Sequence, residues 1–223
     1  MSRCETEFQK AIDMDSNFLE AHQYYALCLA AMGRFVDCRD QLQVARQLDP
    51  FSPNLDSTAT YALYLEGKYD EVIARCRQAL EVNPNFYFLH LHLGHALAAK
   101  GMYDPAISAF QKARIASGNA SLVLGRLGYA YGAAGRKREA RQVLAELQET
   151  SAQPHYIAQV YMGLNEPETA IQWLHKAQLE RSGDLIFLKT DPIYKGVESD
   201  PKFTDLLQRI SLSSRPTPTV TPN

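Results

Sequence analysis

Apolar residues recur along this chain at helical spacing, in short runs broken by polar and turn-forming residues, and the runs come in pairs. Four turns share one make-up, Gly33-Arg-Phe-Val-Asp-Cys38, Gly67-Lys-Tyr-Asp-Glu-Val72, Gly101-Met-Tyr-Asp-Pro-Ala106 and Gly135-Arg-Lys-Arg-Glu-Ala140, each beginning 34 residues after the last. The flanking pattern keeps phase with them. Ala26, Thr60, Gly94 and Gly128 precede the turn by seven residues, and Leu42, Cys76, Phe110 and Leu144 follow it by nine. Ala45, Ala79, Ala113 and Leu147 come three later, and Pro50 and Pro84 close two of the units. Such a period, built from amphipathic segments, marks a stack of helix pairs in which no pair can bury its apolar face alone.

The pattern predicts first helices over about 19–32, 53–66, 87–100 and 121–134, and second helices over about 35–48, 69–82, 103–116 and 137–150. Each turn glycine can take the positive φ that ends a helix. A fifth unit over about 154–180 keeps the pattern in Ala158, Tyr161, Ala170, Leu174 and Ala177, but Ala170 follows Ala140 by only 30 residues. A shortened linker before Pro154 would account for the slip, with Asn165 standing where the turn glycine would be. At the front, Phe8-Gln-Lys-Ala11-Ile-Asp matches a second helix whose first helix is absent, as in a fragment of a longer polypeptide or a natural half-repeat cap. That uncovered edge, with Phe8, Ala11 and Ile12, is a candidate homodimer surface.

In its period, turn glycine and alternation of small and large residues, the array resembles the tetratricopeptide repeat. The resemblance implies an all-α fold, a right-handed α-α superhelical solenoid of tetratricopeptide repeats. Residues 1–17 would be a partial repeat, 18–180 about five helix pairs, 181–211 a C-terminal capping segment and 212–223 a disordered tail. Asp200-Pro201 reads as an N-cap and first-turn proline, and Phe203, Leu206, Leu207 and Ile210 share one face of the helix that follows, a lid over the open end of the solenoid. The segments His92–Ala113, Leu127–Arg141 and Ile157–Phe203, with Leu188-Lys-Thr-Asp-Pro192 and Ser199-Asp-Pro-Lys-Phe203, carry a closer likeness. Over about 87–211 they look like the C-terminal tetratricopeptide regions of bacterial multidomain signalling proteins, namely winged-helix regulators, adenylate cyclases and serine/threonine kinases. Gly196-Val-Glu198 departs from that pattern, and no kinase, cyclase or winged-helix motif is present.

Composition narrows the function. With 23 Lys and Arg against 25 Asp and Glu, the chain has no excess of positive charge to release counterions from a phosphate backbone, which argues against nucleic acid as a partner. The longest apolar stretch, Tyr24 to Met32, is half a membrane span, so no membrane partner is expected. The polar start and the four scattered cysteines, with no CxxC spacing, point to a reducing, cytoplasmic setting.

No catalytic motif stands out: there is no GxSxG elbow, phosphate-binding glycine loop or HExxH helix, so an enzyme is not expected. His90, His92 and His95 cluster, but no cysteine or carboxylate joins them at ligand spacing; packing and groove lining are expected, without metal or cofactor. Cys28, Cys38 and Cys76 fall on packing positions.

Function is expected on the concave face, which the first helices of this architecture line. The positions there that packing leaves free are Gln23 and Leu27 in the first unit, Ser57, Tyr61 and Tyr64 in the second, and Leu91, His92 and His95 in the third. Arg126 and Tyr129 follow in the fourth, and His155, Tyr156 and Gln159 in the fifth. These aromatic, neutral-polar side chains suit a protein or peptide ligand held in the groove by aromatic anchors. The alternative is a small-ligand sensory domain in which His92, His95, Tyr129 and Tyr156 converge on one pocket.

Overall fold

A computed structural model describes residues 3–213, and the side chains of 4–210. The tail expected from 212 onward lies, from Ser214, outside the described residues. The described chain is all helical, with no strand. Helix α1 (Arg3–Met14) precedes five antiparallel pairs: α2 (Leu19–Ala31) with α3 (Phe35–Leu48), α4 (Pro53–Leu65) with α5 (Tyr69–Val82), α6 (Tyr87–Ala99) with α7 (Tyr103–Ala116), α8 (Ser121–Ala133) with α9 (Lys137–Glu149), and α10 (Pro154–Gly163) with α11 (Pro167–Leu179). Each first helix packs on its own second helix and on the first helix of the next pair, which is the stacking of a solenoid. Two 3-10 helices, Gly183–Phe187 and Pro192–Val197, and helix α12 (Pro201–Ser213) complete the described residues.

The turns form for the reason the sequence offers. At Gly33, φ is +78°, the Gly33 amide donates to the Ala30 carbonyl at 3.0 Å, and the Arg34 amide donates to the Leu29 carbonyl at 2.9 Å. This pair of bonds satisfies carbonyls that the helix end leaves orphaned. Asn165 does the same work at φ +61°, with the Glu166 amide on the Tyr161 carbonyl at 3.0 Å.

The fifth unit corrects one expectation. The linker before Pro154 keeps its length, since 150–153 matches 49–52. The slip arises inside the helices: α9 has 13 residues where α3, α5 and α7 have 14, and α10 has 10 where α2, α4, α6 and α8 have 13. Helix α10 ends at Gly163, whose backbone lies against α8 so closely that a β-carbon there would collide with the Tyr129 backbone, and one at Gly132 with that of Gly163 and Leu164. Two bare backbones thus set the α8–α10 approach.

One continuous core runs through the stack, including Leu29, Val72, Phe110, Leu124 and Leu147. A second joins α11 to the segment after it through Leu174, Leu188, Tyr194, Phe203 and Leu206. Asp200 caps α12, its carboxylate accepting from the Lys202 amide at 2.7 Å, and α12 packs on α11. At the front, Phe8 stacks on Tyr25 with ring centroids 6.2 Å apart, and Ala11 and Ile12 are half-buried. Two of the four cysteines meet, although their sequence spacing suggests no pairing. Cys4 and Cys28, with Cα atoms 6.7 Å apart, are joined as a disulfide, because α1 lies alongside α2 and brings together residues 24 apart in sequence.

Candidate functional site

The decisive element is the segment 183–197. It does not stay at the end of the stack as a lid would; it turns back along the concave face, where Gly183–Phe187 reaches α2 as well as α11 and Pro192–Val197 touches α10. The cause is its own pattern. Leu185, Leu188, Ile193, Tyr194 and Val197 are all buried, and they share one core with Ala158 of α10, Leu174 of α11 and Phe203 and Leu206 of α12, so the segment's apolar face is held against the last pair and the last helix.

Asp191 anchors it. Its Oδ1 caps the second 3-10 helix by accepting from the Ile193 amide at 3.2 Å, and accepts from the Tyr64 hydroxyl at 2.9 Å. Both its carboxylate oxygens accept from the Arg126 guanidinium, one of them at 3.2 Å. Arg126 and Asp191 are buried, with side chains 8% and 3% exposed, so the pair is compensated by geometry rather than by water. The neighbouring negative charge holds the guanidinium protonated against the cost of burial, and burial first, then Asp191, push the Tyr64 phenol up. Farther along, Asp184 lies 2.8 Å from His155 Nε2 and accepts from the Tyr156 hydroxyl at 3.2 Å; the hydrogen bond from His155 holds its carboxyl below the usual range.

The groove expected along the whole inner face is therefore interrupted. Ser57, Tyr64, Leu91, His92, His95, Arg126, His155 and Gln159, expected as free lining, are buried, while Gln23, Leu27, Tyr61, Tyr129 and Tyr156 are half-buried. For Tyr64, Arg126 and His155 the physical reason is that residues the repeat does not need for packing meet Asp191 or Asp184 of the returning chain, whereas Ser57 is engaged by His92 of the neighbouring first helix. Tyr61 illustrates it, with its ring against Phe187 at 5.3 Å and His92 at 5.6 Å.

Two spaces bear on recognition. The first, of about 210 Å³, lies between the returning segment and α6, α8 and α10, with Tyr61, Phe88, His92, His95, Arg126, Tyr156, Gln159 and Phe187 in its lining. Tyr129 is not among them. It faces a separate cleft with Tyr69, Tyr103 and Ile193, because the Pro192–Val197 helix lies between, so the four-residue pocket expected of His92, His95, Tyr129 and Tyr156 forms with three. The second space, of about 660 Å³, is the open groove across α2, α4 and α6, lined among others by Gln23, Tyr24, Leu27, Asn54, Tyr61 and Phe88. Gln23 spans it, its amide donating to Thr58 Oγ1 at 2.8 Å and to the Asn54 carbonyl at 3.3 Å.

Histidine and cysteine chemistry is subdued. His90 Nε2 donates to the Pro84 carbonyl at 2.7 Å, and His92 Nε2 meets Ser57 Oγ at 2.9 Å. Burial lowers the His92 imidazole to about 3, with Arg126 adding to the effect, and lowers His95 well below its usual value. Burial likewise pushes the Cys38 and Cys76 thiols up to about 11 and about 12, far from the thiolate a nucleophile needs. Among the described residues no three His, Cys, Asp or Glu side chains stand together as metal ligands, and no helix is long and apolar enough to cross a membrane.

Sequence reasoning missed Asp191 and Phe187. The Asp-Pro pair offered a signal for a capped helix, and Arg126 stood out as the one basic side chain expected on the concave face; nothing in the sequence joined residues 65 apart.

Comparison with known proteins agrees with this architecture. A tetratricopeptide-repeat family profile matches residues 89–113, one repeat of the array. The fold is similar to that of a thermophilic TPR protein from Thermus thermophilus, at 17% identity and a TM-score of 0.59, over 88% of this chain and 98% of that one. It is also similar to PilF from Pseudomonas aeruginosa, at 16% identity and a TM-score of 0.51, over 83% and 86% of the two chains. A sequence search of curated proteins matches none. The chain is an all-α tetratricopeptide-type solenoid.

Proposed function

We propose that this solenoid is a protein-binding module that takes an extended peptide along the amino-terminal part of its concave face. One observation carries the reading: the groove across α2, α4 and α6 stays open while the rest of the same face is filled by the chain itself. Its floor offers Leu27 and Phe88 for apolar anchors and Tyr24, 54% exposed, for an aromatic one. The Gln23 side-chain carbonyl and the exposed Asn54 side-chain amide can meet a backbone, as in peptide recognition generally. The charges along the lining are Glu20 and Asp49, which favour a neutral or basic segment over an acidic one. The likeness of residues 87–211 to the tetratricopeptide regions of bacterial signalling proteins favours a docking role within a regulator.

The test is selection of peptides from a random display library on the purified chain, followed by titration against Leu27→Arg and Tyr24→Ala. Selected peptides should be poor in Asp and Glu and lose about tenfold or more in affinity to either variant, as aromatic and apolar anchors do. Peptides that bind both variants as tightly as the parent would place recognition elsewhere.

A further inference from the structure

The 210 Å³ cavity beneath the returning segment holds an unusual set of polar atoms. Both ring nitrogens of His95, Nδ1 of His92 and Oε1 of Gln159 are buried and have no hydrogen-bond partner within the described chain. All three side chains are more than nine-tenths buried and line this cavity, which meets the cleft beside Tyr129 at His95 and the groove across α2, α4 and α6 at His92, with Gln159 Oε1 lying against Gly125 of α8. Native interiors leave few such groups unmet, and four in one place call for something to meet them. Aromatic rings complete the lining, with Tyr61 against Phe187 at 5.3 Å and Phe88 and Tyr156 beside them.

We propose that this cavity is a binding site for a small, uncharged, single-ring nitrogen heterocycle bearing an N–H donor, such as a pyrimidine base or a pyridine carboxamide. Size guides the ligand: a space of about 210 Å³ accommodates one substituted ring. Charge limits it further. The one lysine or arginine in the lining, Arg126, is already taken by both oxygens of Asp191, and the remaining carboxylate, Asp184, would repel an anion. Hydrogen-bond capacity fixes the polarity. A neutral imidazole offers one donor and one acceptor, and the Gln159 carbonyl only accepts, so a ligand with both N–H and ring nitrogen or carbonyl groups can answer all three residues. The burial that keeps His92 and His95 unprotonated supports this, because neutral rings can stack and bond in the same site. The cavity adjoins the peptide groove, with which it shares Tyr61, Phe88 and His92, while His95, Gln159 and Phe187 line the cavity and not the groove.

The experiment is NMR of the intact chain with isotope-labelled histidine rings, titrated near neutral pH with uracil, cytosine and nicotinamide, and with benzoate and inorganic phosphate as charged controls. At least one of the three heterocycles should shift the His92 and His95 ring resonances saturably at millimolar concentration, with neither control doing so. His95→Phe and Gln159→Met, which keep bulk and remove hydrogen-bond groups, should each weaken that response about tenfold. Absence of a saturable shift with all three heterocycles overturns the proposal, as does an equal response to benzoate. A response undiminished in whichever variants fold overturns it too, and the parent titration decides alone if neither folds.

Discussion

Tyr24 and Arg126 occupy the same position of their repeats, on α2 and α8, and their surroundings are the reverse of what their side chains lead one to expect. Tyr24 is 54% exposed, and Arg126 is 6% exposed. Residue type ordinarily ranks a tyrosine as the more buried of the two. What differs is the third layer. At the carboxyl end, residues 183–197 return over α8 and α10 and supply Asp191 to the guanidinium; at the amino end only the Gly183–Phe187 turn reaches α2, and the face stays open. Equivalent repeat positions therefore share backbone geometry and not environment, and one solenoid can keep a dry, ionic half beside a wet, apolar one.

The sharpest way to break that contrast is Asp191→Ala. It leaves Arg126 buried without its counter-ion and frees the cap of the second 3-10 helix, so urea unfolding should show a loss of about 3–5 kcal/mol. Replacing the pair together, Arg126→Met with Asp191→Leu, should cost clearly less than Asp191→Ala alone, since the penalty is the orphaned charge; an additive result would show that the pair does not act as a unit.

Acid comes next. Because the folded-state value of His92 lies near 3, below the ordinary 6.5, the unfolded chain binds the extra proton, and stability falls as pH drops from 6.5 towards 3. His92 alone should account for about 2 kcal/mol lost between pH 7 and pH 5. His95 acts in the same direction. Denaturation at a series of pH values checks this, and His92→Phe should flatten the slope.

A smaller effect is expected of Tyr64→Phe, which removes only the hydroxyl donated to Asp191 at 2.9 Å and should cost about 1 kcal/mol. Smallest of all is the amino-terminal half. Tyr24→Ser should change stability by no more than about 0.5 kcal/mol, since its side chain is 54% exposed. If Tyr24→Ser proves as costly as Tyr64→Phe, the two halves are not the different environments described.

The array follows from local patterns in the chain. A glycine every 34 residues, small residues at Gly94 and Gly128 where helices meet, and an asparagine fit for positive φ at position 165 are local requirements, met within a few residues of chain, and so they can be read without tertiary information. The capped last helix was legible for the same reason, because an Asp-Pro start acts on the next two amides. Only the tertiary structure decided which part of the concave face remains a groove. Both Arg126 and Leu27 read as residues free of packing, and the difference between them came from a segment that lies 65 residues from the arginine and meets it only once the solenoid has curved. The apolar residues of 183–197 announced that the segment would be buried; where it would be buried depended on the shape of a surface built by all the preceding pairs. Helix periodicity is a short-range property of the chain, whereas the burial of Arg126 with Asp191 rests on a long-range contact that neither residue's neighbours encode.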